Sequence, residues 1–179
     1  MHARIFTLVA AFTLLGCATQ PTQSAYNLGV NAYQAKNYVV AREQWSKAIE
    51  AGDTSALNNL GYLLYFGLGG TPDSTRAVAL WKRAATAGHS EAQWHLGYAY
   101  ETGNGVQQSN TEAYAWYRCA IVSASQAHPD DKEAEAQISQ DAAQSLGKLL
   151  ERLPADQFAA AEQLAKQYTA TYSQRKPGV

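Results

Sequence analysis

The strongest constraint on the fold of this chain is an internal repeat of 36 residues. Residues 53–88 align with residues 89–124 without a gap, and ten aligned positions are identical. These positions are Ala56/Ala92, Leu60/Leu96, Gly61/Gly97, Tyr62/Tyr98, Gly67/Gly103, Gly69/Gly105, Thr75/Thr111, Ala77/Ala113, Ala79/Ala115 and Ala84/Ala120. Such a period is typical of a solenoid, in which each unit buries its apolar face against the next unit.

An earlier and shorter unit shares part of this pattern. Its second half holds four residues that stand 36 positions before Ala77, Trp81, Ala84 and Gly88, namely Ala41, Trp45, Ala48 and Gly52. Its first half is four residues shorter, because Leu28-Gly29 precede Leu60-Gly61 by 32 positions. The sequence therefore predicts a first unit at 25–52, ahead of the two units at 53–124.

Each unit predicts a pair of helices. In the second unit, Ala56, Leu60 and Leu64 share one face of a helix near 55–66, and the glycines of "GLGG" end that helix. A second helix follows near 75–87, with an apolar face of its own. One such pair cannot cover both of its apolar faces, so we expect the pairs to stack.

Capping residues support these helix boundaries. The residues suited to helix N-termini are Asp73 or Ser74, Ser90, and Ser109, the last with Glu112 at capping-box spacing. Gly52 and Gly88 are predicted to adopt a left-handed conformation just after the helices that they follow.

These residues resemble the Sel1-like repeat (SLR), a relative of the tetratricopeptide repeat (TPR). The stretch "AQWHLGYAYETGNGVQQSNTEAYAWYRCA" fits the SLR pattern well, although Ser109 replaces a usual Asp and Glu112 a usual Lys. The unit at 25–52 is more similar to a TPR. The resemblance implies an all-α fold: a short α-solenoid of antiparallel helix pairs, with two Sel1-like repeats at 53–124.

The region at 131–173 follows the repeats. Ala134, Ile138, Ala142 and Leu146 have helical spacing, and Pro154 is suited to the first position of another helix. Many SLR proteins end in a similar helix pair, so the resemblance implies that this region is a C-terminal cap on the last repeat.

The N-terminus has the pattern of a secretory leader. "IFTLVAAFTLL" is an apolar run of 11 residues. As a helix it spans roughly 16 Å, which is too short for a bilayer core of about 30 Å, but it suits a signal peptide. "LLGC" then resembles the lipobox of bacterial lipoproteins. The resemblance implies a signal peptide at 1–16, cleavage between Gly16 and Cys17, and lipidation of Cys17.

The next segment is a polar tether. Residues 17–24 carry the predicted lipid on Cys17, and Ala18 follows that cysteine, which implies sorting to the outer membrane in many enteric-type bacteria. The seven residues of "ATQPTQS" reach at most about 25 Å. We therefore expect a protein anchored in the outer membrane that faces the periplasm, with its folded part close to the membrane surface.

An aromatic stripe follows the first helix of each unit. Offsets of four and seven residues place side chains within about 60° of one another on a helix. The positions concerned are Tyr26 and Tyr33 in the first unit, Asn58, Tyr62 and Tyr65 in the second, and Trp94, Tyr98 and Glu101 in the third. In TPR and SLR solenoids this face lines the concave surface, which implies a site for a protein or peptide partner. The alternative is that these rings only pack between neighbouring helices.

Composition and cysteine usage exclude other classes. The net charge is −1, from 14 basic and 15 acidic residues, which argues against a nucleic-acid partner. Cys119 is the one cysteine besides Cys17, and its position in a helix of small residues predicts a buried thiol. The four histidines lack the spacing of a metal site. No nucleophile or phosphate-loop motif is recognised. We therefore expect no cofactor, no metal and no enzyme activity.

These observations favour a membrane-anchored periplasmic scaffold or adaptor of the bacterial cell envelope, which binds a protein through its concave face. Two alternatives stay open. One is an envelope ligand-binding or hydrolytic protein, related to the cell wall or to β-lactams, for which Glu91 and Glu101 are candidate carboxylates. The other is a purely structural lipoprotein, in which Tyr62, Trp94 and Tyr98 are buried by neighbouring helices.

Overall fold

A computed structural model of the protein describes residues 24–126 and 129–174, and every regular element in these ranges is helical. The eight α-helices are α1 (Ala25–Gln34), α2 (Tyr38–Glu50), α3 (Leu57–Tyr65), α4 (Ser74–Thr86), α5 (Ser90–Thr102), α6 (Asn110–Ser125), α7 (Lys132–Leu150) and α8 (Ala155–Tyr172). Short 3-10 turns at Thr54–Ala56 and Pro129–Asp131 precede α3 and α7. The predicted all-α fold is confirmed.

The helices stack in the order of the chain. Helices α1 and α2, α3 and α4, and α5 and α6 form three pairs, and each pair packs against the next through α2 with α3 and α4 with α5. The region predicted as a cap contains α7 and α8, and both helices pack on α6. The short helical solenoid expected from the repeat is therefore present.

A ring packed on a glycine recurs in every pair. A Cβ added at Gly61 would lie 2.6 Å from Nε1 of Trp81, which shows how closely the indole of α4 covers the backbone of α3. The same indole donates a hydrogen bond to the carbonyl oxygen of Asn58, 3.2 Å away. The corresponding pairs are Gly29 with Trp45 and Gly97 with Tyr117. These contacts set the separation of the two helices in each unit.

Most of the predicted caps are confirmed. Asp73 accepts a hydrogen bond from the backbone N–H of Arg76 at the start of α4, and Ser109 accepts one from Glu112 at the start of α6. The glycines predicted to end helices, Gly52 and Gly88, have φ angles of +90° and +92°.

Two predicted helix starts are wrong. The N-cap of α5 is His89, whose Nδ1 accepts from the N–H of Ala92, whereas Ser90 lies inside the helix and donates its hydroxyl to Glu135 of α7. Pro154 stands just before α8 as its N-cap and is not its first residue. The sequence around Ser90 gives no sign that its hydroxyl forms a hydrogen bond with a residue of the distant helix α7.

Replacing Gly61 by Ala tests the importance of the ring-on-glycine contact. The added methyl group displaces Trp81, so we expect the free energy of unfolding to fall by about 1–3 kcal/mol, as in other overpacked cores. Gly147 is the matched control, because it lies within α7, is exposed, and has nothing within 4 Å of the position that a Cβ would take. Gly147→Ala should instead stabilise the protein by about 0.5–1 kcal/mol. Urea unfolding of both variants distinguishes the two effects, and equal changes would contradict this interpretation.

Candidate functional site

A groove of about 760 Å³ lies on the face formed by the first helices of the three units, α1, α3 and α5. Its lining is mostly aromatic and amide: Tyr26, Val30, Tyr33 and Gln34 from α1, Trp45 from α2, Asn58, Asn59 and Tyr62 from α3, Phe66 just after α3, and Glu91, Trp94, His95 and Tyr98 from α5. The groove thus draws on all three units, and no unit forms it alone.

Six of the eight residues predicted for the concave stripe line this groove: Tyr26, Tyr33, Asn58, Tyr62, Trp94 and Tyr98. Tyr98 is 41% exposed, and Tyr33 is 37% exposed. Tyr62 and Trp94 are half-buried, while Asn58 lies deeper, at the base of the groove. The spacing of the repeat therefore brings these side chains together from three separate helices.

Tyr65 and Glu101, the other two stripe residues, lie outside the groove. Tyr65 is only 6% exposed, packs on Trp81, and has its hydroxyl 3.1 Å from Oγ1 of Thr102. Tyr33 has the equivalent position in the first unit but lines the groove. The neighbours Trp81 and Thr102, and not the position along the helix, therefore keep Tyr65 buried.

The side chain of Glu101 is held by other parts of the fold. Its carboxylate accepts a hydrogen bond of 2.5 Å from the hydroxyl of Tyr117 and forms an ion pair with Arg152. Arg152 follows α7, 51 residues away in sequence, so the stripe pattern could not reveal this partner.

Glu91 and His95 meet at Asn58. The side-chain amide of Asn58 donates to Oε2 of Glu91 over 2.8 Å, and its oxygen lies 3.1 Å from Nδ1 of His95. Because that oxygen can only accept, Nδ1 of His95 carries the proton. The backbone carbonyl of Asn58 accepts from Trp81, so this one residue joins the core to the groove. Sequence reasoning placed Asn58 on the stripe but did not find the bond to the next unit.

Burial controls the charges in the groove. It lowers the pKa of His95 to about 3, so this imidazole is neutral at pH 7. Burial also raises the pKa of Glu91 above its usual range, partly opposed by the hydrogen bond from Asn58 and reinforced by the negative charge of Glu135. Glu91 supplies the one carboxyl group of the groove lining, and no Lys or Arg is among the lining residues.

The ring of His95 joins two indoles. It stacks on Trp81 with ring centroids 4.8 Å apart and on Trp94 with centroids 5.1 Å apart. The indole N–H of Trp94 donates to the hydroxyl of Ser145 on α7 over 3.2 Å. The C-terminal helices therefore help to fix the orientation of a groove side chain, an interaction that the repeat pattern gave no signal for.

Cys119 lies in the core, as predicted. Its side chain is fully buried, and burial raises the pKa of the thiol to about 12, which keeps it protonated and unreactive. Among the residues that the structure describes, no three His, Cys, Asp or Glu side chains are grouped so that they could hold a metal ion.

Comparison with protein families identifies the repeat. The model of the Sel1 repeat matches residues 54–89 and 90–121. This chain therefore contains two Sel1 repeats. The matched ranges correspond closely to the two repeats predicted at 53–124, and they include α3 to α6, which supply most of the groove. Sel1 repeat proteins generally act in protein–protein interaction.

Two solved structures of similar proteins were found, and the first supports the fold. One is c5321, described as a protective antigen of uropathogenic Escherichia coli strains with an SLR fold; it is 28% identical, with a TM-score of 0.71 over 83% of this chain. This chain spans only 30% of the length of c5321. A Sel1 repeat protein from Oxalobacter formigenes is also 28% identical over 63% of this chain and 86% of its own, with a TM-score of 0.48. A search of curated proteins found no match.

Replacing His95 by Asn tests the neutral state of this imidazole. Unfolding exposes His95, which then binds a proton near pH 6.5. The folded protein does not bind that proton until about pH 3, so acidification from pH 7 to pH 4 removes stability from the wild type. The amide of Asn can replace the bond to Asn58 but does not titrate. We expect the variant to be less stable at pH 7, because it loses the ring that stacks on Trp81 and Trp94, yet to lose less stability on acidification.

Urea unfolding of both proteins at pH 8, 7, 6, 5 and 4 measures this difference. The values at pH 8 give the packing loss alone, because histidine is neutral in both states there. Equal loss of stability with falling pH in the two proteins would show that His95 takes up its proton in the folded state.

Proposed function

We propose that this protein is an interaction scaffold that holds a partner protein in the groove on α1, α3 and α5. The observation that supports this most directly is the open aromatic lining contributed by all three units. Tyrosine and tryptophan provide large contact areas with a polar tip at low cost in side-chain entropy, and they dominate binding energies at protein interfaces. The general role of Sel1 repeat proteins in protein–protein interaction agrees with this proposal.

The exposure of the rings favours a binding surface over a purely structural stripe. Tyr98 and Phe66 are 41% and 48% exposed at the edge of the groove, where rings buried by neighbouring helices would be covered. Tyr62 contacts both Phe66 and His95, so the exposed rings continue into the deeper part of the groove. A ligand that enters the groove would cover apolar surface that is now in contact with water.

A hydrolytic role receives less support from the geometry. Paired carboxylates of a hydrolase have to face the same substrate. Glu91 lines the groove, whereas Glu101 lies outside it, bound to Tyr117 and Arg152. The two candidate carboxylates are therefore not brought together, and a scaffold is the better interpretation of this surface.

We also propose that a lipid on Cys17 anchors this scaffold to the outer membrane, with the repeats in the periplasm. This proposal depends on the sequence "LLGC" after an apolar run, because residues 1–23 lie outside the described part of the chain. Within the described residues, no helix is long and apolar enough to cross a membrane. A lipid with several acyl chains would supply firm anchoring without such a helix.

Replacing both Tyr62 and Tyr98 by Ala tests the groove as the binding surface. The wild-type protein, crosslinked in its cell and analysed by mass spectrometry, should capture a defined partner, and the double variant should lose most of that capture. Phe158→Ala is the matched control, because Phe158 is an aromatic residue of similar exposure on α8, away from the groove. Retained capture by the groove variant, with normal thermal stability, would refute the proposed surface. A collapse of stability would show that these rings act as core.

Replacing Cys17 by Ser tests the anchor. A serine hydroxyl cannot form the thioether to the lipid, so the variant should move from the membrane fraction to the soluble fraction of lysed cells. Metabolic labelling with an alkyne fatty acid gives a second measurement, with Cys119→Ser as the control that keeps its label. Unchanged membrane fractionation of Cys17→Ser would disprove the anchor without affecting the proposal for the groove.

A further inference from the structure

The groove lining contains a carboxyl group but no cationic side chain. Glu91 is the only carboxyl side chain among its lining residues, His95 is neutral at pH 7, and no Lys or Arg is among them. On this basis, which rests on the proposed function, we propose that the groove binds a peptide segment of its partner through a lysine or arginine side chain, placed between the carboxylate of Glu91 and the surrounding aromatic rings.

The carboxylate of Glu91 can accept further hydrogen bonds from a lysine or arginine side chain. It accepts one hydrogen bond, from Asn58 to Oε2, whereas an ionised carboxylate offers about four acceptor positions. Within 24–126 and 129–174, no Lys or Arg forms an ion pair with it. Glu135, which is bound to Ser90, adds negative potential from α7. A cation entering the groove would therefore meet a carboxyl group that no Lys or Arg of these ranges pairs with.

Partial burial makes the Glu91 carboxyl group favour a basic ligand over a neutral or an acidic one. Taking a carboxylate out of water costs free energy that is recovered when a cation pairs with it, and the attraction is stronger at low dielectric than at the surface. Burial raises the pKa of Glu91, which reflects this cost. An acidic ligand would add to the cost, and a neutral one would leave it unchanged. A basic side chain reduces it.

Aromatic rings line the same groove as Glu91. Tyr62 lies one turn after Asn58, the residue bound to Glu91, and Trp94 lies one turn after Glu91 itself. Tyr33 of α1 lines the same groove, and its pKa is raised chiefly by burial. Cations are attracted to the faces of such rings, and arginine also stacks on them. The lining therefore offers a carboxylate and several ring faces to one cation.

The size of the groove favours a peptide over a small amine. At about 760 Å³, it falls within the range of sites that hold drug-sized ligands, and it is open across three helices. One lysine or arginine side chain would fill only part of this volume. The rest, lined by rings such as Phe66 and Tyr98 and by the amide of Asn59, suits the residues on either side of the cation in an extended segment.

The test starts from a random 12-residue peptide library displayed on phage and selected on the immobilised full chain. We expect the selected peptides to share a lysine or arginine at one position, with apolar or aromatic neighbours. A second selection uses Glu91→Gln, which keeps the shape of the side chain and an oxygen that can accept from Asn58. That variant should still select apolar peptides but should lose the preference for the basic residue.

Affinity measurements then locate the effect. Isothermal titration of the strongest selected peptide should show binding weakened about 10- to 100-fold by Glu91→Gln, as for other charge-assisted hydrogen bonds. Changing the basic residue of the peptide to Gln should weaken binding similarly, and the two changes together should cost little more than either alone. Glu43→Gln is the matched control, because Glu43 is exposed on α2, outside the groove, and pairs with Lys47; it should leave affinity unchanged.

Each other outcome has a distinct meaning. Peptides that need Tyr62 and Tyr98 but show no basic preference would overturn this inference and leave the proposed function standing. The absence of any selected peptide would contradict both. A further experiment deletes residues 175–179, which contain Arg175 and Lys176, and measures peptide affinity again. A gain in peptide affinity on deletion would show that the tail of this chain, and not a partner, supplies the basic side chain.

Discussion

The fold depends on a ring from the second helix of each unit that covers a glycine in the first. Trp81 covers Gly61, and the same arrangement recurs at Trp45 on Gly29. Both indoles also donate a hydrogen bond to the carbonyl three residues before the glycine. A Cβ at the glycine would collide with the ring, so each contact requires both residue types. This close approach fixes the helix separation, and the repetition of that separation makes the first helices line up as one concave face.

The third unit keeps the contact but changes its chemistry. Tyr117 covers Gly97, and its hydroxyl donates to Glu101, where an indole N–H would have donated to a backbone carbonyl. Glu101 in turn pairs with Arg152, beyond α7. The last repeat thus uses its ring to connect with the C-terminal helices, which replace the missing next unit. A terminal repeat needs such a modified contact, because no further identical helix pair covers it.

The repeat determined most of what could be predicted from the sequence. The period of 36 gives the number of helix pairs directly, and the capping by Asp73 and Ser109 and the left-handed glycines depend on interactions within a few residues. The groove stripe was predicted only where the spacing alone decides the direction of a side chain. Tyr65 is buried by its contacts with Trp81 and Thr102, and the partners of Glu101 and Ser90 lie in or just after the distant α7. Contacts between remote segments leave no periodic signal, so these could not be predicted.

The same long-range contacts explain how the C-terminal helices affect the groove. Ser145 of α7 orients Trp94, and Glu135 of α7 binds Ser90 next to the buried carboxylate of Glu91. Both contacts act on α5, the helix that contributes the carboxyl group of the groove. The C-terminal pair therefore does more than cover the apolar surface of α6: it also sets the position of a ring and the electrostatic potential at the site. A change in α7 that leaves the core intact can for this reason alter binding in a groove that α7 does not line.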